Sequence, residues 1–350
     1  MKMMKSERVL RVFHGFSNYG TQAGLFAMEL RKSGIDAISV TTYDRFKRQT
    51  DVELLHGGSL FAKLFKHSWN WIRLGFWFFK YNTFHFYFGS TLVSGQWDLP
   101  LYRLFNKKLV FEYLGSDVMD YATVVERYNL SKTHRFARNS SKVESYKKKR
   151  VLLHRQYADV QLVCAPCYVE YVPGSKVLPL GVDLTRFGFR EKDFGGTLII
   201  MHAPTDMEFK GSAYILAALE TLKAEGYPIE INLVRDVTHT ELISEYQRSH
   251  IFIDQISIGW YGTASIEAMA TGCPTACFID SRYLQYIDFA NQIPIVNVTR
   301  EQVLDTIREL ISDREKLKRL SLDSRTFVED VHDIKEVTKH LTQIYHELGK

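Results

Sequence analysis

Asp254-Gln-Ile-Ser-Ile-Gly-Trp-Tyr-Gly-Thr-Ala-Ser-Ile-Glu267-Ala-Met-Ala-Thr-Gly-Cys-Pro274 reads as the end of an apolar strand, a glycine-bearing loop and a short helix stopped by Gly272 and Pro274. The apolar run 251–254 before it and the run 274–279 after it predict strands, so the stretch is a βαβ unit, and such units build parallel sheets. Gly262 to Ser265 open the helix, where unpaired backbone N–H groups make an anion site suited to a diphosphate. Glu267 lies one turn inside. Its carboxylate could accept both hydroxyls of a ribose, although the helix dipole favours an acidic residue there even without a ligand.

The same alternation extends outward through the chain, twice over. In the first half, strands are predicted at 9–14, 36–41, 83–88, 108–113, 160–163 and 176–179, with helices at 21–32, 60–80 and 141–156. In the second, strands at 197–201, 229–234, 251–254 and 274–279 alternate with helices at 211–225, 240–249 and 263–271. The tail is helical at 301–312, 315–322 and 331–348. Between the halves, Leu180-Gly-Val-Asp-Leu-Thr-Arg-Phe187 and the charged residues 190–196 read as a linker. The expectation is therefore an α/β protein of two doubly wound domains facing across a cleft, at 1–187 and 188–330. A C-terminal helix, 331–350, is expected to return to the first domain. Ligands of open α/β sheets sit beyond the carboxyl ends of the strands, so the loops after strands carry the functional weight.

Composition agrees with a globular enzyme. Of 350 residues, 45% are hydrophobic and 24% charged, and the net charge is +5. That balance excludes a disordered chain and gives no argument for nucleic acid. No long apolar run follows Met1-Lys-Met-Met-Lys-Ser-Glu-Arg8, which points to the cytoplasm. Cys164-Ala-Pro-Cys167 has redox or zinc-knuckle spacing, with Cys273 and Cys277 as a conceivable second half; buried small hydrophobes are the plainer reading. The Gly15–Gly20 loop lacks GxGxxG spacing, so a dehydrogenase-type dinucleotide fingerprint is absent. Its Asn18, Tyr19 and Gly20 are candidates for phosphate or acceptor contact.

Gly259-Trp-Tyr-Gly-Thr-Ala-Ser-Ile-Glu-Ala-Met-Ala-Thr-Gly-Cys-Pro274 resembles the Glu-x7-Glu signature and following Glu-Ala-Met-Ala-x-Gly-x-Pro run of a large family of retaining glycosyltransferases. These are the family 4, group 1 enzymes, which include sucrose synthase and many bacterial polysaccharide and phosphatidylinositol glycosyltransferases. Lys176-Val-Leu-Pro-Leu-Gly-Val-Asp-Leu-Thr-Arg-Phe187 is similar to the family's interdomain motif, and His202-Ala-Pro-Thr-Asp-Met-Glu-Phe-Lys-Gly211 to its phosphate loop. His14-Gly-Phe-Ser-Asn-Tyr-Gly20, His85-Phe-Tyr-Phe-Gly-Ser90 and Glu112-Tyr-Leu-Gly-Ser-Asp117 sit where strand-end loops of that family sit.

The resemblance implies a GT-B fold with a Rossmann-like nucleotide-sugar domain in the second half and an acceptor domain in the first. It implies that Glu267 contacts the donor ribose and Lys210 neutralises its diphosphate, with His202, Thr205, Arg235, Gly259, Tyr261, Gly262 and Thr263 around the donor. A fixed cation at a helix start stabilises a departing nucleoside diphosphate without a metal. No Asp-x-Asp pair occurs in the sequence, so no metal or other cofactor is expected. Three departures stand out. The family's first glutamate falls on Gly259, its arginine before the lysine is missing with Arg235 as a substitute, and a first-domain histidine is replaced by Leu114. Asp117 and His85 are left near the reacting carbon. His14 and His202 read equally well as hydrogen-bonded structural histidines. A sugar-nucleotide epimerase, or a non-catalytic protein that keeps the fold and binds a nucleotide sugar, is the alternative.

Leu60-Phe-Ala-Lys-Leu-Phe-Lys-His-Ser-Trp-Asn-Trp-Ile-Arg-Leu-Gly-Phe-Trp-Phe-Phe-Lys80 mixes aromatic and basic residues. It is too charged to span a bilayer and suits either an interfacial helix at the inner face of the plasma membrane, beside a lipid-linked acceptor, or a core helix with snorkelling lysines. The basic run Lys147-Lys-Lys-Arg150 fits an anionic surface or a solvated helix face.

Overall fold

The computed structural model describes residues 9–42, 49–57, 59–131 and 141–348; the opening Met1 to Arg8 lies outside them. The chain divides into two compact units. The first comprises Met1–Val118, Ser145–Gly181 and Val337–Lys350, the second Met119–Glu144 and Val182–Glu336. In chain order the elements up to the linker are β1 Arg11–Phe16, α1 Gln22–Lys32, β2 Asp36–Thr41, β3 Val52–Glu53, α2 Leu60–Lys80, β4 Thr83–Tyr87, α3 Leu99–Leu104, β5 Lys108–Tyr113, α4 Tyr121–Arg127, α5 Ser141–Tyr157, β6 Val160–Val163 and β7 Lys176–Val177. Then follow β8 Leu198–His202, α6 Met207–Lys210, α7 Ser212–Ala224, β9 Ile229–Leu233, α8 His239–Arg248, β10 Ile251–Ile253, α9 Thr263–Ala270, β11 Thr275–Cys277, β12 Val296–Asn297, α10 Val303–Ser312, α11 Arg314–Phe327 and α12 Ile334–Glu347.

The first unit carries a seven-stranded sheet ordered β3-β2-β1-β4-β5-β6-β7 and the second a five-stranded sheet ordered β12-β11-β10-β8-β9, every pairing in register as parallel neighbours. Parallel strands are covered on both faces, which is why β1 and β4 read as nearly continuous buried runs. On one face of the first sheet Phe13, Phe84, Phe86 and Phe111 pack with Leu74, Trp77 and Phe78 of α2 and Tyr102 of α3. Each such side chain contributes about 1.5–3 kcal/mol by leaving water. On the other face His14 stacks on Phe26 of α1, and Tyr345 of α12 reaches His85.

Each sheet reverses its strand order once, and the reversal places two loops side by side. In the first unit it falls between β1 and β4, so the loop after β1 meets the loop after β4: Tyr19 lies against Phe88 at 5.7 Å, and Ser90 Oγ accepts from Phe16 N–H at 3.2 Å. In the second it falls between β8 and β10, and the loop carrying Lys210 meets the loop that opens α9.

Candidate functional site

Asp254 ends β10 and is 1% exposed. It receives the Lys210 ammonium on Oδ1 and the Ser265 hydroxyl on Oδ2 at 2.6 Å. Burial alone would raise its pKa, but Lys210, and after it Ser265 and His202, hold the carboxyl below the usual aspartate range. An ionised Asp254 therefore ties the end of α6 to the first turn of α9. Lys210 Nζ is fixed in this way, and an ammonium carries three donors. Behind it Gly211 has φ +75°, and a Cβ there would come 2.6 Å from Ile256 and 2.7 Å from Ser257 Oγ. The close approach of the two loops thus requires glycine.

The start of α9 is capped by Gly262, which offers no side-chain acceptor. The first helical N–H groups, from Thr263 onward, are left for another partner. Glu267, with 12% of its side chain exposed, accepts from His239 Nε2 at 2.9 Å. The Nδ1 of that ring faces an Arg186 guanidinium nitrogen at 3.0 Å. A guanidinium only donates, so Nδ1 accepts and Nε2 carries the proton that Glu267 receives. Arg186 and His239 thus set the orientation of Glu267. Thr205 and Arg235 are exposed loop residues after β8 and β9.

The remaining second-unit candidates point elsewhere. His202 is fully buried, with Nδ1 2.7 Å from Ile253 O and Nε2 2.7 Å from Ser212 Oγ, and burial lowers its pKa. It braces β8 against β10 and α7. Tyr261 is buried with its hydroxyl 3.0 Å from His332. Gly259 is buried, and a Cβ at that position would stand 2.4 Å from Asp280 Cβ and 2.9 Å from the Tyr128 hydroxyl. Where the resemblance leads one to expect a sugar-facing glutamate, the structure has no room for a side chain.

In the first unit, Asn18 is buried and fastens the loop after β1: its Nδ2 donates to Gln49 O at 2.7 Å and its Oδ1 accepts from Gly24 N–H at 3.2 Å. Tyr19 is exposed, and Gly20 has φ +54°. Leu114 is buried. Asp117 Oδ1 accepts the backbone N–H of Leu114 and Gly115 at 3.1 and 2.9 Å. Its pKa is pushed up to about 6, mainly by burial and against the pull of Arg150. Arg150, which ends the basic run, turns inward and donates to Asp117 O at 2.7 Å.

His85 lies wholly inside the unit. Its Nδ1 is 2.7 Å from the Tyr345 hydroxyl and its Nε2 3.0 Å from Glu112 Oε2. Beside it His14 Nδ1 is 2.7 Å from the Tyr87 hydroxyl. Burial pushes Glu112 up to about 8 and His85 down to about 3, so the buried pair is neutral near pH 7. All four cysteines are free thiols. Burial pushes Cys273 to about 11 and Cys277 to about 12, the behaviour of packed hydrophobes. Among the described residues, no group of His, Cys, Asp and Glu is placed to hold a metal.

His239, Asp254, Ser265 and Arg186 were not singled out as site residues from the sequence. Asp254 had a signal, being an acidic residue at a strand's carboxyl end. His239 sits inside a Thr238–Glu241 capping box, whose sequence signature speaks only of the helix start.

No family model matches this sequence, and no curated protein matches it. Solved structures do. The sucrose-phosphate synthase of Thermosynechococcus elongatus aligns with a TM-score of 0.64 at 16% identity, over 97% of this chain and 99% of its own. HepE of Anabaena, solved in complex with UDP, aligns at 0.61 and 12%, over 97% and 100%. A Listeria monocytogenes chain described as a UDP-N-acetylglucosamine 2-epimerase aligns at 0.56 and 11%, over 96% and 95%. At these identities the likeness establishes architecture, and the two parallel Rossmann-like sheets of this chain are those of the GT-B fold.

Proposed function

We propose that this chain transfers a sugar from a nucleotide-diphosphate sugar to a glycan or lipid-linked acceptor, with retention of configuration and without a metal or other cofactor. The observation that carries the reading is the Lys210–Asp254–Ser265 chain, which sets a cation beside the open N-terminus of α9, with Glu267 one turn further on. In this reading the diphosphate lies on the α9 amides and Lys210, while Glu267 takes the ribose hydroxyls. As the bond from the anomeric carbon to the phosphate oxygen lengthens, negative charge grows on that oxygen, and a cation already held in place stabilises it without reorganisation. Front-side attack by the acceptor hydroxyl needs no enzymic nucleophile. Of the two first-unit candidates we keep Asp117, whose Oδ2 has no hydrogen-bond partner among the described residues; His85 belongs to the interior. Asn18, Tyr19 and Gly20 fall to the acceptor side.

The neighbours named above include a chain solved with UDP and an epimerase, so release of nucleoside diphosphate is the deciding measurement. Melting shifts with UDP, ADP and GDP choose the base. Turnover of the matching nucleotide sugars follows, with and without a glycan or polyprenyl-phosphate acceptor. Lys210→Ala and Glu267→Ala are expected to lose donor turnover at least a hundredfold; Glu267→Ala should melt as wild type does, whereas Lys210→Ala, which leaves the buried Asp254 carboxylate unpaired, should fold but melt lower. Wild-type turnover in both variants refutes the site. Sugar isomerisation without diphosphate release assigns an epimerase, and diphosphate binding without any turnover assigns the non-catalytic reading.

The same proposal places the chain at an anionic membrane surface in cell-surface polysaccharide synthesis. Helix α2 turns Leu74, Trp77 and Phe78 into the core, yet Phe61 is 84% exposed and Phe65, Ile72, Phe76 and Phe79 between 63% and 69%. Phe79 meets Phe105 at 5.7 Å, extending the apolar face to α3, where Leu104 is exposed. Helix α2 has no acidic residue and carries Lys63, Lys66, Arg73 and Lys80. Monomeric proteins rarely expose so much contiguous apolar surface without a use for it, and basic flanks suit anionic headgroups at about 1 kcal/mol per charge. No helix among the described residues is long and apolar enough to cross a membrane.

A further inference from the structure

A cavity of about 330 Å3 opens in the second unit, lined among others by Arg127, Tyr128, Asn129, Tyr214, Ser257 and Arg300. The strands that end there are β10, β11 and β12, whereas His239, the partner of Glu267, follows β9 at the far edge of the sheet. The cavity therefore lies on the other side of the Lys210 loop from Glu267. It shares a wall with that loop, because Ile256 N–H donates to Lys210 O at 3.2 Å.

Arg300 is built into the wall rather than splayed from it. Its Nε donates to Ser257 Oγ at 3.0 Å, one terminal nitrogen donates to Asn129 O at 3.2 Å, and the guanidinium lies 5.5 Å from the Tyr214 ring centroid. Both acceptors are neutral, and no carboxylate among the described residues comes within ion-pair distance of Arg300. The nearby Asp280 is taken by Arg282. Arg127, which donates to the Tyr283 hydroxyl at 2.7 Å, and Glu301 also line the cavity. A guanidinium held by two neutral acceptors, with the Glu301 carboxylate of the lining acting on it only from beyond ion-pair distance, and ringed by hydroxyl and amide groups, fits an anion that itself carries hydroxyls.

We propose that this cavity binds an acidic sugar unit, a saccharide bearing a carboxylate or a phosphate, separately from the nucleotide. As a statement about substrate this rests on the glycosyl-transfer reading, since it makes one reacting glycan acidic; as a statement about binding it stands alone. The full chain is titrated with glucuronic acid, glucose 6-phosphate, glucose and inorganic phosphate by ligand-observed NMR and calorimetry, beside Arg300→Ala and Arg300→Lys.

At least one acidic sugar is expected to bind at least tenfold more tightly than glucose. Arg300→Ala should lose that preference, and Arg300→Lys should keep only part of it because a lysine lacks the planar fork. The UDP-induced melting shift should be equal in all three proteins. A carboxylate source is assigned if glucuronic acid is preferred, a phosphate source if glucose 6-phosphate is. The inference is overturned if neither acidic sugar outbinds glucose, if inorganic phosphate binds as tightly as glucose 6-phosphate and glucuronic acid does not bind, or if Arg300→Ala binds as wild type does. Loss of the UDP shift in the wild-type protein would instead count against the donor site and leave the cavity result standing.

Discussion

Asp254→Asn tests the centre of the proposed donor site. The carboxylate is 1% exposed and holds the Lys210 ammonium and the Ser265 hydroxyl. Breaking a fully buried ion pair by removing one member costs about 3–5 kcal/mol. Lys210 keeps 17% of its side chain exposed and asparagine keeps an oxygen for Ser265, so the expected loss is nearer to about 2 kcal/mol. For a domain of about 150–250 residues that is about 4–8 °C in Tm. The folded pKa of Asp254 lies below the ordinary value of 3.8, so its contribution is complete above pH 3.8 and disappears as the pH falls through the lowered folded value. Scanning calorimetry of both proteins should show the gap at pH 7 and its narrowing in acid. With Lys210 no longer held at the α9 terminus, UDP affinity should fall about tenfold, about 1.4 kcal/mol. Equal melting at pH 7, or a destabilised variant that binds UDP as wild type does, would refute the argument that Asp254 presents Lys210 to the diphosphate.

Gly259→Ala should cost about 1–3 kcal/mol by overpacking, because the added methyl meets Asp280 Cβ at 2.4 Å; an unchanged urea midpoint would contradict the packing described. Glu112 holds its proton up to about 8 in the folded chain against an ordinary 4.5, so wild-type stability falls as pH rises from about 4.5 to 8. Glu112→Gln keeps the neutral shape without that penalty, and its Tm relative to wild type should climb between pH 5 and pH 8; a flat difference would mean that the carboxyl is ionised inside. Phe65 and Phe76 are 69% and 64% exposed, so Phe65→Asp with Phe76→Asp should melt normally. Losing two inserted rings worth about 1.5 kcal/mol or more each should lower binding to phosphatidylglycerol vesicles by about two orders of magnitude. Wild-type cosedimentation by the double variant would remove α2 from any lipid contact.

What the sequence displayed and what it concealed follow from the range of the forces involved. The strands Thr83–Tyr87 and Lys108–Tyr113 are rich in aromatic residues, and helix Leu60–Lys80 repeats over 21 residues; such runs announce themselves locally. The two-residue strands β3 and β12 and the short helices α3 and α4 carry no period to read. Lys210, Gly262 and Glu267 could be singled out as candidates because each lies in a loop or helix start after a strand. Asp254 as the partner of Lys210 could not, because it depends on β8 lying beside β10, where the paired positions Ile200 and Ile251 are 51 residues apart. His85 illustrates the same limit on the first sheet. Period-two alternation puts Phe84 and Phe86 on one face and His85 and Tyr87 on the other, but only the register with β5 and the return of α12 bring Glu112 and Tyr345 to His85.

Gly259 shows the reverse case, a departure visible in the sequence whose meaning needed the structure. Judged by the resemblance alone, a missing glutamate argues for lost activity. With Asp280 and Tyr128 filling the space a Cβ would take, the glycine is instead a packing requirement of this loop, and Asp280 is pinned there by Arg282. In the proposed reaction, recognition of the transferred sugar falls to side chains around the loop rather than to position 259. One of the residues that crowd Gly259, Tyr128, also lines the Arg300 cavity. If the Arg300 cavity takes an acidic sugar as proposed, Tyr128 joins the packing of Gly259 to that site, and a side chain at 259 would disturb both.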